Sequence, residues 1–339
     1  MKINLVAVQA RPEIDDYASF EAFRRKMADL MRQACASVDL GHPTLVAYPE
    51  AIGLYLSFVP YHYEQIRTCR TLNQAALRVL PRLAPRLLRV AWRHRRLHPF
   101  AALFLQHALE AEQAYTETFS GLAKEYGVYL LGGSLYVPPI EEEVLKRRYF
   151  LSRRIHNTAY LFAPNGLCLC RVPKVNLAPP TETGTGFHGA AKSELVPTDT
   201  ALGRVGILIC YDGFHRSLVE HYDALGAQII LQPSYNEHPW DAPNSQDPSY
   251  VESEIWLEHG LASLIQGRES IRYAVNPMMV GKILSMEAEG KSTISRNTGR
   301  VGAPPEETIV AIAGSPTAEE VVAATVDIEP VRPAERATV

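Results

Sequence analysis

One stretch constrains this chain more than any other: Gly203 to Ser217, GRVGILICYDGFHRS. Val205 to Ile209 is an unbroken apolar run with the length and β-branched content of a buried strand. It stops at Cys210, and Tyr211-Asp212-Gly213 reads as a polar turn. Leu218, Val219, Tyr222 and Leu225 then recur at the spacing of one buried helix face. A cysteine between a buried strand and a helix lies where a backbone N–H can face a substrate and where the helix dipole favours a thiolate. A lone cysteine is more often an inert core residue. Position therefore singles out Cys210 as a candidate nucleophile without settling its role.

The same alternation runs through the chain. Lys2 to Gln9 and Thr44 to Tyr48 read as strands, separated by a helix over about Ser19 to Val38 with Phe20, Phe23, Met27, Leu30 and Met31 on one face. Pro49-Glu50 follows the second strand, so Glu50 emerges at a strand end, from which side chains reach clefts. A helix over Glu110 to Tyr126 and a strand over Val128 to Gly132 come next. Thr158 to Phe162 and Leu167 to Val172 form a hairpin about Pro164-Asn165-Gly166, delivering Pro173-Lys174. The loop Ala178 to Gly189 carries Glu182 and is too long for a simple turn. Further strands are expected at Gln228 to Gln232, Ala274 to Met279, Ser292 to Ser295 and Val321 to Ile328, with a helix over Val251 to Glu269. Strands and helices alternate, interrupted by hairpins. That pattern predicts an α/β fold with two mixed sheets between helical layers.

With 339 residues, 47% hydrophobic content and a net charge of −3, the chain is an ordinary globular one with ample core. Its five cysteines are odd in number and lack Cys/His metal spacing; Cys168 and Cys170 are expected on one strand face. MKINLVAVQA reads as a strand and not a signal peptide, so a reducing, cytoplasmic compartment is expected. One window departs from this composition. Gln65 to Leu109 holds nine arginines, three histidines and no Asp or Glu. Arg78, Arg82, Arg86, Arg89, Arg93 and Arg96 recur at helical spacing around Pro81 and Pro85, and Phe100 to Leu109 is apolar but too short to span a bilayer. Such a segment suits a lid over a site, a subunit contact, or peripheral contact with an anionic membrane. His94 and His98 have metal-ligand spacing without a third ligand and read as surface. Negative net charge and the absence of aromatic–basic interleaving argue against nucleic acid as a partner.

Glu50, Lys174, Glu182 and Cys210 share one property: each lies past a strand or in the loop after one. Chemistry supplies a reason for the set. A thiol needs a base, which Glu50 serves if burial raises its pKa. An amide carbonyl attacked by sulfur becomes an oxyanion, which a Lys ammonium and a backbone N–H stabilise. A second carboxylate can hold the lysine and the attacking water or amine.

YPEA (48–51), RVPKVNL (171–177) and GRVGILICYDGFH (203–215) resemble the three signature blocks of the nitrilase, or carbon–nitrogen hydrolase, superfamily. Supporting stretches are GLAKEYGVYLLGGS (121–134), NTAYLFAPNG (157–166), GAQIILQPS (226–234) and the region from Val275 to Ser292. The resemblance covers nearly the whole chain as a single domain (1–339), apart from a basic and apolar helical insertion at about 57–115. It implies a four-layer α-β-β-α sandwich that dimerises or forms a higher homo-oligomer. It also implies hydrolysis or acyl transfer through a cysteine thioester, with no metal or organic cofactor. Glu50 then carries over as general base, Lys174 as the cation at the transition state, Cys210 as nucleophile and Glu182 as the second glutamate, with Glu194 its competitor. The N–H of Tyr211 would complete the oxyanion hole, and Tyr55, His215, Tyr235 and Asn236 are candidate pocket residues, though His215 could instead cap the following helix. Gly290-Lys291-Ser292 lacks the upstream glycines of a phosphate loop. Asp212-Gly213 after the cysteine resembles the amidase branches, so a small or acyl-chain amide is favoured over a nitrile. A nitrilase or an N-acyltransferase of the same superfamily is the alternative, and a non-catalytic scaffold binding a partner or membrane surface through the Arg-rich segment is the competing class.

Overall fold

A computed structural model describes residues 1–71, 73–75, 77–79, 81, 104–105, 107–139, 154–179 and 182–329. Most of the Arg-rich window, including Arg82 to Arg96, His94 and His98, lies outside the described residues, as does Glu141 to Arg148, whose mixed acidic and basic residues read in the sequence as a hairpin loop.

The apolar strands assemble into two six-stranded sheets. The first contains β1 (Lys2–Gln9), β2 (Thr44–Ala47), β3 (Tyr129–Val137), β4 (His156–Phe162), β5 (Cys168–Pro173) and β16 (Glu320–Asp327), in the order β16-β1-β2-β3-β4-β5. The second contains β6 (Thr198–Thr200), β7 (Gly203–Ile207), β8 (Ile229–Leu231), β10 (Tyr273–Asn276), β14 (Thr293–Arg296) and β15 (Ile309–Ile312), in the order β15-β14-β10-β8-β7-β6. Among the described residues two small pairs complete the strands: β9 (Ser234–Tyr235) with β11 (Met278–Met279), and β12 (Gly281–Ile283) with β13 (Met286–Ala288). Each large sheet has a parallel centre, β1-β2-β3 or β7-β8-β10, flanked by antiparallel strands. Parallel strands need both faces covered, and the pleat provides for this. Val6 and Val8 of β1 pack on the helical side, while Ile3, Leu5 and Ala7 face the core shared with the second sheet.

Helices α1 (Phe20–Ala36), α2 (Val59–Ile66) and α3 (Ala108–Tyr126) lie with the first sheet's outer core. The α1 helix starts where the Ser19 hydroxyl accepts from the Ala22 N–H at 3.1 Å, and it buries Phe23, Met27, Leu30 and Met31 as the periodicity predicts. The α3 helix ends at Gly127, whose φ of 65° suits a left-handed stop. Helices α4 (Arg216–Ala224), α5 (Glu252–Glu258) and α6 (Leu261–Leu264) contribute to the second core. The result is the layered α-β-β-α arrangement. Among the described residues no helix is long and apolar enough to cross a membrane.

Four expectations change. The single helix over Val251 to Glu269 is two short ones, broken where a Cβ on Gly260 would sit 2.6 Å from the Trp256 carbonyl oxygen. Leu225, placed on the buried face of α4, is 39% exposed because the helix has ended at Ala224. Cys168 and Cys170 do not share a face. A bulge pairs Cys170 with Leu161 and Cys168 with Phe162, so the two thiols pack into different cores. The strand over Val128 to Gly132 extends to Val137, through a bulge at Gly132-Gly133.

Candidate active site

That bulge shapes the turn carrying Glu50. A Cβ on Gly133 would fall 2.0 Å from the Pro49 carbonyl oxygen, and Gly133 has a φ of 74°, so only glycine permits so close an approach. The next residue, Ser134, is fully buried; its hydroxyl accepts from the Ala51 N–H at 2.9 Å and its carbonyl from the Gly53 N–H at 3.0 Å. These bonds hold Ala51 at a φ of 59°, uncommon for a residue with a Cβ. The strained turn points Glu50 inward, where it is 3% exposed.

Strand β5 delivers Lys174 immediately after its last residue. Its N–H donates to the Asn157 carbonyl at 2.8 Å, and its ammonium is 1% exposed. Lys174 Nζ donates to Glu50 Oε1 at 2.8 Å and to Glu182 Oε2 at 2.6 Å. Glu182 is fixed in its loop by the Ala178 N–H, 2.8 Å from Oε2. Glu194, the competitor, is exposed and accepts from the Ala191 N–H. Glu182 is thus the second carboxylate at the lysine.

Cys210 closes the constellation. It opens a one-turn helix (Cys210–Phe214) and has a φ of 47°. The strain is held from both sides: its N–H donates to the Pro233 carbonyl and its carbonyl accepts from Gln232 Nε2, each at 2.9 Å. A Cβ on Gly213 would lie 2.2 Å from that Gln232 nitrogen, which explains the glycine. The thiol faces the Tyr235 carbonyl at 3.6 Å. Sequence suggested a simple polar turn here; the structure shows a strained elbow.

The electrostatics follow from burying one cation with two carboxyls and a thiol. Burial pushes the Glu50 carboxyl up to about 7; Lys174 opposes this and Glu182 reinforces it. Burial also acts on Glu182, but Lys174 and the hydrogen bonds to the charged form outweigh it and hold Glu182 low. Lys174 would be lowered by burial, yet Glu50, Cys210 and Glu182 raise it, so it stays an ammonium. Burial and then Glu50 raise the Cys210 thiol well above its usual value. The resting sulfur is therefore a thiol that needs a base, and Glu50 is the titratable group poised to be one.

The five candidate pocket residues divide. Tyr235 reaches the sulfur through its carbonyl, and Tyr211 follows the sulfur in the chain. Tyr55 is 3% exposed and packs 5.2 Å from the Tyr17 ring and 5.7 Å from Phe58. His215 does not cap α4 with its side chain; its ring meets Tyr211 edge-on at 4.8 Å, and Nε2 is buried without a partner among the described residues. Asn236 spends its amide on loop backbone, donating to the carbonyls of His238 and Glu289 and accepting from the His238 N–H.

Sequence reasoning missed three residues. Asn157 Nδ2 contacts Glu50 Oε1 at 2.7 Å and Glu182 Oε1 at 3.1 Å. The Tyr136 hydroxyl donates to Glu182 Oε1 at 2.8 Å. Asp212, read only as a marker of substrate class, accepts from the N–H groups of Val175 and Asn176. The available signal was a polar residue heading an apolar strand, Asn157 in NTAYLF.

Comparison with known proteins bears on the family and the fold. A family model described as Carbon-nitrogen hydrolase matches residues 6–336. The omega-amidase NIT2 of Xenopus tropicalis is 30% identical over 136 residues, covering 38% of this chain and 45% of that protein. The chain thus spans less than half the length of the curated relative it matches. A carbon-nitrogen hydrolase from Helicobacter pylori superposes with a TM-score of 0.62 at 17% identity, covering 96% of this chain and 89% of the other. An amidase from Nesterenkonia sp. AN1 gives a TM-score of 0.56 at 17% identity, covering 97% and 93%. At such identities these structures establish the fold.

Proposed function

The chain belongs to the carbon–nitrogen hydrolase family, and from that premise we propose that it cleaves the C–N bond of a small or acyl-chain amide through a thioester on Cys210. The observation that carries this reading is the buried contact of Lys174 Nζ with both Glu50 and Glu182, beside a thiol in a strained elbow.

Glu50 removes the Cys210 proton as sulfur attacks the carbonyl carbon. The oxyanion that forms is met by the Lys174 ammonium and the Tyr211 N–H, which lies at the start of the helical turn, where N–H groups lack intrahelical partners. Collapse breaks the C–N bond, and the nitrogen leaves with the proton that Glu50 had taken. Water then attacks the thioester, giving its proton to Glu50, and the second collapse returns the thiol and releases the acid. Glu182 holds Lys174 charged and in place throughout. A dry site strengthens each of these interactions.

The preference for amides rests on Asp212-Gly213 and is tested with matched amide and nitrile pairs. Faster conversion of amides supports it; faster conversion of nitriles to acids overturns it. Adding an ordinary primary amine separates the acceptors: an N-substituted amide formed in preference to acid assigns acyl transfer. The proposed homodimer is read by sedimentation, where a monomer at working concentration contradicts it.

A further inference from the structure

We propose that Asn157 is a positioning residue that keeps Glu50 and Glu182 in different protonation states, so that only Glu50 exchanges the proton of the reaction. This rests on the hydrolase reading of the site. Asn157 is fully buried near the start of β4 and touches three of the four chemical residues. Its carbonyl accepts from the Lys174 N–H at 2.8 Å. Its Nδ2 lies 2.7 Å from Glu50 Oε1, 3.1 Å from Glu182 Oε1 and 3.1 Å from the Tyr136 hydroxyl. An amide nitrogen has two hydrogens, and the Tyr136 proton is itself directed at Glu182. Two hydrogens thus face three acceptors: one points at Glu50 Oε1, the shortest contact, and the other is shared between Glu182 Oε1 and the adjacent Tyr136 oxygen.

The orientation of the amide supports this. Asn157 Oδ1 is buried and has no hydrogen-bond partner among the described residues. Leaving a buried carbonyl oxygen unpaired is unfavourable. Rotating the amide by half a turn would be worse, because it would set that oxygen against both carboxylates. Two carboxyls in one dry site tend to share a proton. A neutral donor between them satisfies both without supplying a proton to exchange. The donor sets are unequal: Glu182 has Lys174, Tyr136, Asn157 and the Ala178 N–H, whereas Glu50 has Lys174 and Asn157 on one oxygen and, besides them, the Cys210 thiol. Charge therefore settles on Glu182 and the mobile proton on Glu50. The groups facing this pair are Lys174, Cys210, Tyr136 and, beyond Glu50, Tyr235.

The test uses the pH dependence of Cys210 alkylation by iodoacetamide, followed on the Cys210 peptide by mass spectrometry, together with turnover of an amide panel. Asn157→Ala removes the donor, and the near-isosteric Asn157→Asp replaces it with a third carboxyl; thermal melts confirm that each is folded. The acid limb of alkylation is expected to move up by about one pH unit in Asn157→Ala and further in Asn157→Asp, since a hydrogen bond to a charged group is worth about that much. Folded variants whose limbs superpose on the wild type, whatever their rate, overturn the proposal. A shifted limb in protein that turns over no amide upholds the role of Asn157 and rejects the hydrolase reading. An unshifted limb with amide turnover does the reverse.

Discussion

Asp212 binds Asn176 twice: one carboxylate oxygen accepts from the Asn176 N–H at 2.7 Å and from its Nδ2 at 3.0 Å, while the other accepts from the Val175 N–H at 2.9 Å. Val175 follows Lys174, and Asp212 lies two residues beyond Cys210. One 1%-exposed carboxylate thus straps the Lys174 loop to the Cys210 loop.

Asp212→Asn sets an amide N–H₂ against backbone N–H donors. It is expected to cost about 2 kcal/mol of stability and to lower kcat by roughly tenfold or more by displacing Lys174. Thermal melts and steady-state kinetics check both effects. An unchanged kcat in a destabilised protein would leave the strap with a purely structural role.

The raised carboxyl of Glu50, at about 7, fixes the pH behaviour. As the proposed general base Glu50 works ionised, so kcat/KM is expected to rise as pH rises through about 7 and to fall below it. Glu50→Gln should remove that limb along with most of the activity. The sign for folding is opposite. A carboxyl that binds its proton more tightly when folded favours the folded state below its unfolded pKa, and this contribution is lost as pH rises toward 7. Denaturant titrations of wild type and Glu50→Gln at pH 5 and pH 8 therefore differ, with Glu50→Gln gaining on wild type at the higher pH.

Gly133→Ala tests the turn beneath Glu50. The new methyl meets the Pro49 carbonyl oxygen, and the residue keeps a positive φ. Destabilisation by about 2 kcal/mol or more is expected, with loss of activity greater than that of a remote variant of equal stability. Wild-type melting would refute the close approach.

Phe104, within the expected insertion, is fully buried 5.9 Å from the Tyr136 ring and 5.3 Å from Phe187. Since Tyr136 holds Glu182, Phe104 packs one residue away from the site. Phe104→Ala is expected to shift preference toward bulkier acyl groups, seen as a change in relative kcat/KM across amides of rising chain length. An unchanged series would separate the insertion from specificity.

Glu50 and Cys210 were legible because buried apolar strands, Thr44 to Ala47 and Gly203 to Ile207, end just before them. Period and burial alone mark such strand ends. Asn157 was hidden for the converse reason: a polar residue at the head of a strand reads as punctuation, and only the pairing of β3, β4 and β5 shows that it faces two glutamates. The bulge that parts Cys168 from Cys170 is likewise a property of strand pairing and leaves no mark in local alternation. Leu225 looked buried because periodicity continues past Ala224, while the following Gly226, at a φ of 76°, turns the chain.

The most direct test of the account is acid-quenched turnover with a panel of amides, followed by peptide mass spectrometry. The account predicts an acyl mass increment on the Cys210 peptide that hydroxylamine removes, absent in Cys210→Ala, which also releases no ammonia. Ammonia release sustained by Cys210→Ala, or an acyl group found on another residue, would contradict it.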